Sequence, residues 1–219
     1  MNLVFDLCGV VFDWTPEAIF AAADVAPELH PYLRDGLFAH ADWIDLDRGT
    51  LSRPEIVRRA VVHTGLSPAT VAELLPLIPY SLVPVPGTVT LLHQLKEGGH
   101  RLFYLSNLNC DCIEHLERGG TDHRGGTDHR GGTDYRYPFW PLFEGGVVSC
   151  RVHALKPEPA IYRALLETYH LNRAETWFVD DRECNLAAAQ EQGWRTIYFR
   201  NSFQCKVDLM AHGLLTERK

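Results

Sequence analysis

The sequence predicts an α/β protein, a Rossmann-like parallel sheet core with a small helical unit inserted near its start. Two observations carry this. Short apolar, β-prone runs at residues 3–5, 101–105, 177–179 and 196–199 have the length of buried strands, and the later ones alternate with helical patterns. Residues 15–83, by contrast, show helical signals and no convincing strand.

In chain order, the first run (Leu3-Val4-Phe5) stops on a carboxylate, Asp6, before Cys8-Gly9 and a renewed apolar stretch, Val10-Val11-Phe12. A buried parallel strand that delivers one Asp into a glycine turn reads this way. So does an edge strand with a solvated Asp. Thr15-Pro16-Glu17 starts a helix, with Thr as N-cap and Pro at the first helical position. Ser52-Arg53-Pro54-Glu55 has capping-box spacing and leads into Ile56, Val57, Ala60 and Val61. Ser67-Pro68 opens another helix through Val71, Leu74 and Leu75. Pro79, Pro84 and Pro86-Gly87 punctuate the end of this helical unit.

Alternation then begins. Residues 88–97 fit a helix that stops at Gly98-Gly99, and residues 101–105 a strand that ends on Ser106-Asn107. Residues 159–170 form an amphipathic helix with Ile161, Leu165 and Tyr169 on one face. Residues 177–179 are a strand ending on Asp180-Asp181, 185–192 a helix closed by Gly193, and 196–199 a last strand. The expected organisation is a core of residues 1–14 and 84–219 with a helical cap of residues 15–83. Within the core, residues 118–136 (RGGTDH-RGGTDH-RGGTDY, with a last Arg) are a hexapeptide repeat. Lacking any aliphatic position it cannot build a solenoid core, so a flexible solvated loop is expected. A metal site on His123, His129 and the interleaved aspartates is the sharper alternative, weakened by the lack of anything rigid to hold the ligands.

A chain of 219 residues with formal charge −7 and no basic run does not fit a nucleic-acid-binding surface. An anionic substrate must then be drawn in locally, by a metal, a lysine or helix N-termini. Six scattered cysteines without a C-x-x-C pair read as reduced thiols, and the first residues lack a basic n-region. No run is long enough to cross a bilayer. A cytoplasmic protein without membrane contact is expected; oligomeric state is not legible.

Three strands end on polar groups: Asp6, Ser106-Asn107 and Asp180-Asp181. Lys156 lies in Leu155-Lys156-Pro157-Glu158-Pro159, just before a helix. In a parallel sheet all strand C-termini share one edge, so these groups can converge. As chemistry the set is coherent. Asp6 is a carboxylate nucleophile, able to pass through an aspartyl-phosphate. Asp181 joins it as a hard oxygen ligand for Mg²⁺. Lys156 offsets the charge of an incoming phosphate, and Ser106 and Asn107 donate to its oxygens.

FDLCGVVFD, YLSN, LKPEPAIY and FVDDRECN, in this order, resemble the four motifs of the haloacid dehalogenase (HAD) superfamily over the whole chain. Within it the chain is most similar to the small bacterial α-D-glucose-1-phosphate phosphatases and the N-terminal phosphatase domain of soluble epoxide hydrolases. The resemblance implies the HAD fold with a helical cap, and a Mg²⁺-dependent phosphatase acting on a small-molecule phosphate ester. It implies that Asp6 is nucleophile and metal ligand, Cys8 a ligand through its backbone carbonyl, and Asp181 a ligand. Asp180 ligates the metal or orients a bound water. Ser106 and Asn107 bind phosphate, Lys156 stabilises Asp6 and the phosphoryl group, and Asn185 supports the carboxylates from behind.

Cys8 is the departure. Most phosphatases of the superfamily carry a second Asp there, which protonates the leaving oxygen. A thiol is a poor substitute. An activated ester, such as a hexose 1-phosphate, needs that proton less and is the preferred substrate on this reading. In the cap, His40, Asp45 and Arg48 are candidates to reach a sugar hydroxyl, with helix-connecting surface as the plain alternative. Two rival functions stand beside the phosphatase: a metal-free 2-haloacid dehalogenase, against which Asp180-Asp181 argues, and a degenerate HAD protein that binds a phosphorylated ligand or a partner, which Cys8 motivates.

Overall fold

The computed structural model describes residues 1–120 and 137–216. The hexapeptide repeat from residue 121 on, including His123 and His129, lies outside the described residues. In chain order the elements are β1 (Asn2–Phe5), β2 (Phe12–Asp13), α1 (Pro16–Ala22), α2 (His30–Leu33), α3 (Ala41–Arg48), α4 (Arg53–Thr64) and α5 (Pro68–Leu74). There follow β3 (Val83–Pro84), α6 (Pro86–Glu97), β4 (Arg101–Ser106), α7 (Cys110–Glu117), β5 (Gly145–Val148) and α8 (Ser149–Val152). The chain continues through α9 (Pro159–Tyr169), β6 (Thr176–Asp180), α10 (Glu183–Glu191), β7 (Arg195–Tyr198) and α11 (Ser202–Ala211).

The main sheet has the order β5-β4-β1-β6-β7 and every pairing in it is parallel. From β1 the chain builds outward through β4 and β5 on one side, then through β6 and β7 on the other. The order therefore reverses at β1, and the crevice beyond its C-terminal end is where such sheets bind ligands. Asp6 follows β1 directly. The strands are apolar on both faces because helices cover both. Leu3, Phe5, Leu102 and Val179 pack with α6, α7 and α11, while Val4, Phe103 and Phe178 pack with α9 and α10. Fully burying one such side chain contributes roughly 1.5–3 kcal/mol.

Helices α1 to α5 lie between β2 and β3, and these two short strands pair antiparallel as the stem of the insertion. Thr15 and Ser67 cap as their sequence predicts, accepting from Ala18 N and Thr70 N. Ser52 does not. It holds the extended N-cap conformation without a side-chain bond, and the Glu55 carboxylate, which in a capping box would reach back to the Ser52 N–H, is instead taken by Arg58 and Arg59. The sequence reading also missed β2, β3, β5, α2, α3, α7, α8 and α11.

Helix α3 lies on the core beside α7 and α8. Its Arg48 grips Glu158 with two bonds of 2.6 and 2.9 Å, and the Asp47 carbonyl accepts from buried Ser149 Oγ at 2.5 Å. Gly49, which ends α3 with φ 77°, sits against the backbone of Cys150, where a Cβ would be 2.3 Å from its carbonyl oxygen. No described helix is long and apolar enough to cross a membrane.

Candidate active site

The expected residues do come together beyond β1, β4 and β6. Asp6 is 6 % exposed, and its Oδ1 accepts three bonds: from Leu7 N (2.7 Å), Ser106 Oγ (2.8 Å) and Lys156 Nζ (2.8 Å). Among the described residues nothing donates to its Oδ2, the oxygen left for chemistry. Burial pushes the carboxyl up and Lys156 opposes that.

Lys156 is 5 % exposed, with Nζ also 2.7 Å from Asp180 Oδ2 and over the face of Phe178. Burial alone would lower this ammonium, but the two carboxylates outweigh it and hold Lys156 above the ordinary lysine range. Asn107 fixes the lysine backbone at both ends: its Nδ2 donates to Lys156 O (3.0 Å) and its Oδ1 accepts from Lys156 N (2.7 Å). The Asn107 amide expected on a phosphate is thus committed to positioning Lys156. Ser106, only 1 % exposed, is likewise spent on Asp6.

The paired carboxylates divide. Asp180 is fully buried and receives Lys156 Nζ, Arg182 N and the Asn185 amide. Asp181 lies open to the cavity, raised by burial and by the Asp180 charge. One oxygen from each of Asp6, Asp180 and Asp181 falls within 4.8 Å of the others, a hard-donor set of the kind Mg²⁺ takes. Gly9 makes room for it: at φ 91°, a Cβ would stand 2.5 Å from Asp181 Oδ2. Asn185, 2 % exposed, anchors Asp180 and receives Tyr162 OH on its own carbonyl. Cys8 lines the same cavity, and burial with the Asp6 charge drives its thiol far above the ordinary range, so it stays neutral.

The cavity measures about 470 Å³. On its cap side it is walled by Trp14, Trp43, Ile44, Asp47, Ile78 and Leu82, of which only Asp47 is polar. His40, Asp45 and Arg48 do not line it. His40 joins Asp42, stacks on His63 and belongs to a surface cluster completed by Arg59, while Arg48 is paired with Glu158. Sequence reasoning missed Asp47 and Asn109. The available signal was the acidic spacing of α3 and the N-cap pattern before α7, where Asn109 Oδ1 accepts from Cys112 N.

A carboxylate at the switch point, charge-paired to a buried lysine under a helical cover, gives this doubly wound α/β fold a built site for an anionic or metal-bound ligand. The HAD-hydrolase-like family model matches residues 153–213. A sesquiterpene phosphatase, AstK of Aspergillus oryzae, is 24 % identical over 94 % of this chain and 93 % of its own length. Bifunctional epoxide hydrolase 2 of Mus musculus is 40 % identical over 60 residues, 27 % of this chain and 11 % of that one. Among solved structures, a HAD family enzyme of Bacteroides thetaiotaomicron in complex with magnesium and inorganic phosphate superposes with TM-score 0.67 at 22 % identity, covering 91 % of this chain and 94 % of that one. L-2-haloacid dehalogenase of Xanthobacter autotrophicus superposes with TM-score 0.62 at 16 % identity, covering 98 % and 84 %. Residues 153–213 thus resemble the HAD-hydrolase-like family, and the fold is the one these HAD enzymes share.

Proposed function

We propose that this hydrolase is a Mg²⁺-dependent phosphatase that cleaves a small phosphomonoester through an aspartyl-phosphate on Asp6. The observation that carries this reading is the arrangement around Asp6: one oxygen saturated by Leu7 N, Ser106 and Lys156, the other free, and Asp181 alongside. Asp6, Asp181 and the Cys8 backbone carbonyl would hold the metal, which supplies positive charge for the phosphoryl oxygens when bound. Asp180 is assigned to orienting Lys156 and Asn185 rather than to the metal, since its hydrogen bonds already go there.

Lys156 keeps its charge at working pH and lowers the cost of bringing a phosphate dianion next to Asp6. Asp6 Oδ2 attacks phosphorus, and the fixed Oδ1 leaves only that oxygen to turn toward it. Ser106 and Asn107 act by holding Asp6 and Lys156 in register. The relatives support the phosphatase over the dehalogenase: AstK is a phosphatase and matches nearly the whole chain.

The cap-side wall argues for an alcohol portion that is largely apolar. A hexose 1-phosphate would meet Trp14, Trp43, Ile44, Ile78 and Leu82 with its hydroxyls, each of which would lose water without gaining a partner there. Phosphate release from p-nitrophenyl phosphate tests the reaction. Wild type should turn over with Mg²⁺ and stop with chelator, and Asp6→Asn should lose on the order of 10³-fold or more. Metal-independent halide release from a 2-haloacid would overturn it. Among alkyl phosphates and sugar phosphates of similar size, the apolar esters should show the higher kcat/KM.

A further inference from the structure

We propose that Asp47, carried by the cap on helix α3, is the acid–base residue that position 8 lacks: it protonates the leaving oxygen and then activates the hydrolytic water. This rests on the phosphatase reading of the Asp6 site.

Asp47 is the polar exception in the cap-side wall, in the same cavity as Asp6 and Cys8. Its placement is fixed from the core. Ser149 Oγ donates to its carbonyl at 2.5 Å, and Asn109 reaches its carboxyl with Nδ2 at 3.3 Å from Oδ1 and with its backbone NH. Among the described residues no Lys, Arg or His pairs with it, whereas the neighbouring Asp42 and Arg48 are both committed to ion pairs. A half-buried carboxyl without a cation, facing a reaction cavity, is costly for the fold and suited to proton transfer. Burial pushes it up to about 7, with Asn109 pulling the other way. Such a group carries a proton part of the time at neutral pH and accepts one equally well. Cys8 cannot compete, because its thiol holds its proton throughout that range.

The two half-reactions balance. As Asp6 Oδ2 bonds to phosphorus, the ester P–O bond breaks and the Asp47 proton passes to the departing alkoxide, releasing the alcohol. The resulting Asp47 carboxylate takes a proton from water, whose oxygen attacks phosphorus. The Asp6–phosphoryl bond breaks, inorganic phosphate forms and Asp47 is protonated again. An alkyl alcohol, the leaving group the apolar wall favours, is the kind that needs this proton most.

The experiment compares wild type, Asp47→Asn, Cys8→Asp and the double variant on p-nitrophenyl phosphate and on an unbranched alkyl phosphate, with Mg²⁺. For Asp47→Asn, kcat/KM on the alkyl ester should fall about 10²–10⁴-fold. On the aryl ester, whose leaving group departs without a proton, it should fall less than about tenfold, while kcat drops as the water step slows. Intact-mass spectrometry of the quenched aryl reaction should then show phosphoenzyme in Asp47→Asn and little in wild type. Adding Cys8→Asp should restore alkyl turnover. Equal losses on both esters, or no loss, would overturn the role. Wild type without Mg²⁺-dependent turnover on either ester would overturn the phosphatase reading and this role with it, whereas loss confined to Asp6→Asn would leave that reading standing and remove Asp47 from it.

Discussion

Around Asp6 each side chain is positioned by another whose purpose is not visible from its own neighbours in sequence. Asn107 holds Lys156 by its backbone, Lys156 holds Asp6 and Asp180, and Asp180 holds Asn185. Asp6, Lys156 and Asp180-Asp181 were legible as polar residues at strand or loop ends next to apolar runs. Asp47 was not: α3 offers Asp42, Asp45 and Asp47 on one short helix, and only packing against Asn109 and Ser149 selects one of them for the cavity. Gly9, beside the candidate metal-binding carboxylate set, has little freedom to change. Gly9→Ala would push a methyl group into Asp181 and hold a left-handed φ of 91° with a side chain in place. We expect a stability loss of about 1–3 kcal/mol and a Mg²⁺ requirement raised about tenfold or more. Denaturant melts and activity against Mg²⁺ concentration check the two separately.

At the scale of elements, periodicity and caps identified the strands and helices whose patterns are strong, and failed where tertiary partners decide. Strand β5 opens on Gly145-Gly146, a poor strand signature, yet Tyr104 and the Tyr169 hydroxyl lie where Cβ atoms would project, so the small residues are what the sheet edge admits. At Ser52 the capping box does not form: its hydroxyl makes no cap bond and the Glu55 carboxylate pairs with two arginines of its own helix. The α3–α4 seam gives a pH prediction. Burial would raise the Asp42 carboxyl, but Arg59, His40 and His63 outweigh it and hold Asp42 below the usual range. A carboxyl depressed on folding stabilises above its unfolded pKa of about 4, and that contribution is lost as pH falls through the folded value. Asp42→Asn should therefore cost about 1 kcal/mol at pH 7, discounted for the partly exposed partners, or about 2–4 °C in Tm. The gap between the two proteins should close progressively below pH 4 in thermal melts.

For the whole molecule, the cap completes the cavity and supplies its apolar wall and Asp47, so how α3 sits on the core decides activity more than stability. The outer clamp is Arg48 on Glu158, with side chains 27 % and 42 % exposed. Pairs this open are screened by solvent and contribute about 0–1 kcal/mol, so Arg48→Ala should move Tm by no more than a few degrees. Its effect on catalysis should be larger, because Arg48 immediately follows Asp47 and also donates to His153 O, tying the end of α3 to the turn before Lys156. Loosening that end displaces the Asp47 carboxyl relative to Asp6, and small misplacements of a reacting group cost far more in rate than in stability. We expect kcat/KM on an alkyl phosphate to fall at least about tenfold while p-nitrophenyl phosphate is affected less. Glu158→Ala should reproduce that selectivity, and the double variant should be no worse than either single one, since both remove the same clamp. If instead each variant lowered Tm as far as a core deletion while both esters slowed alike, the pair would be holding the fold together rather than aiming the cap.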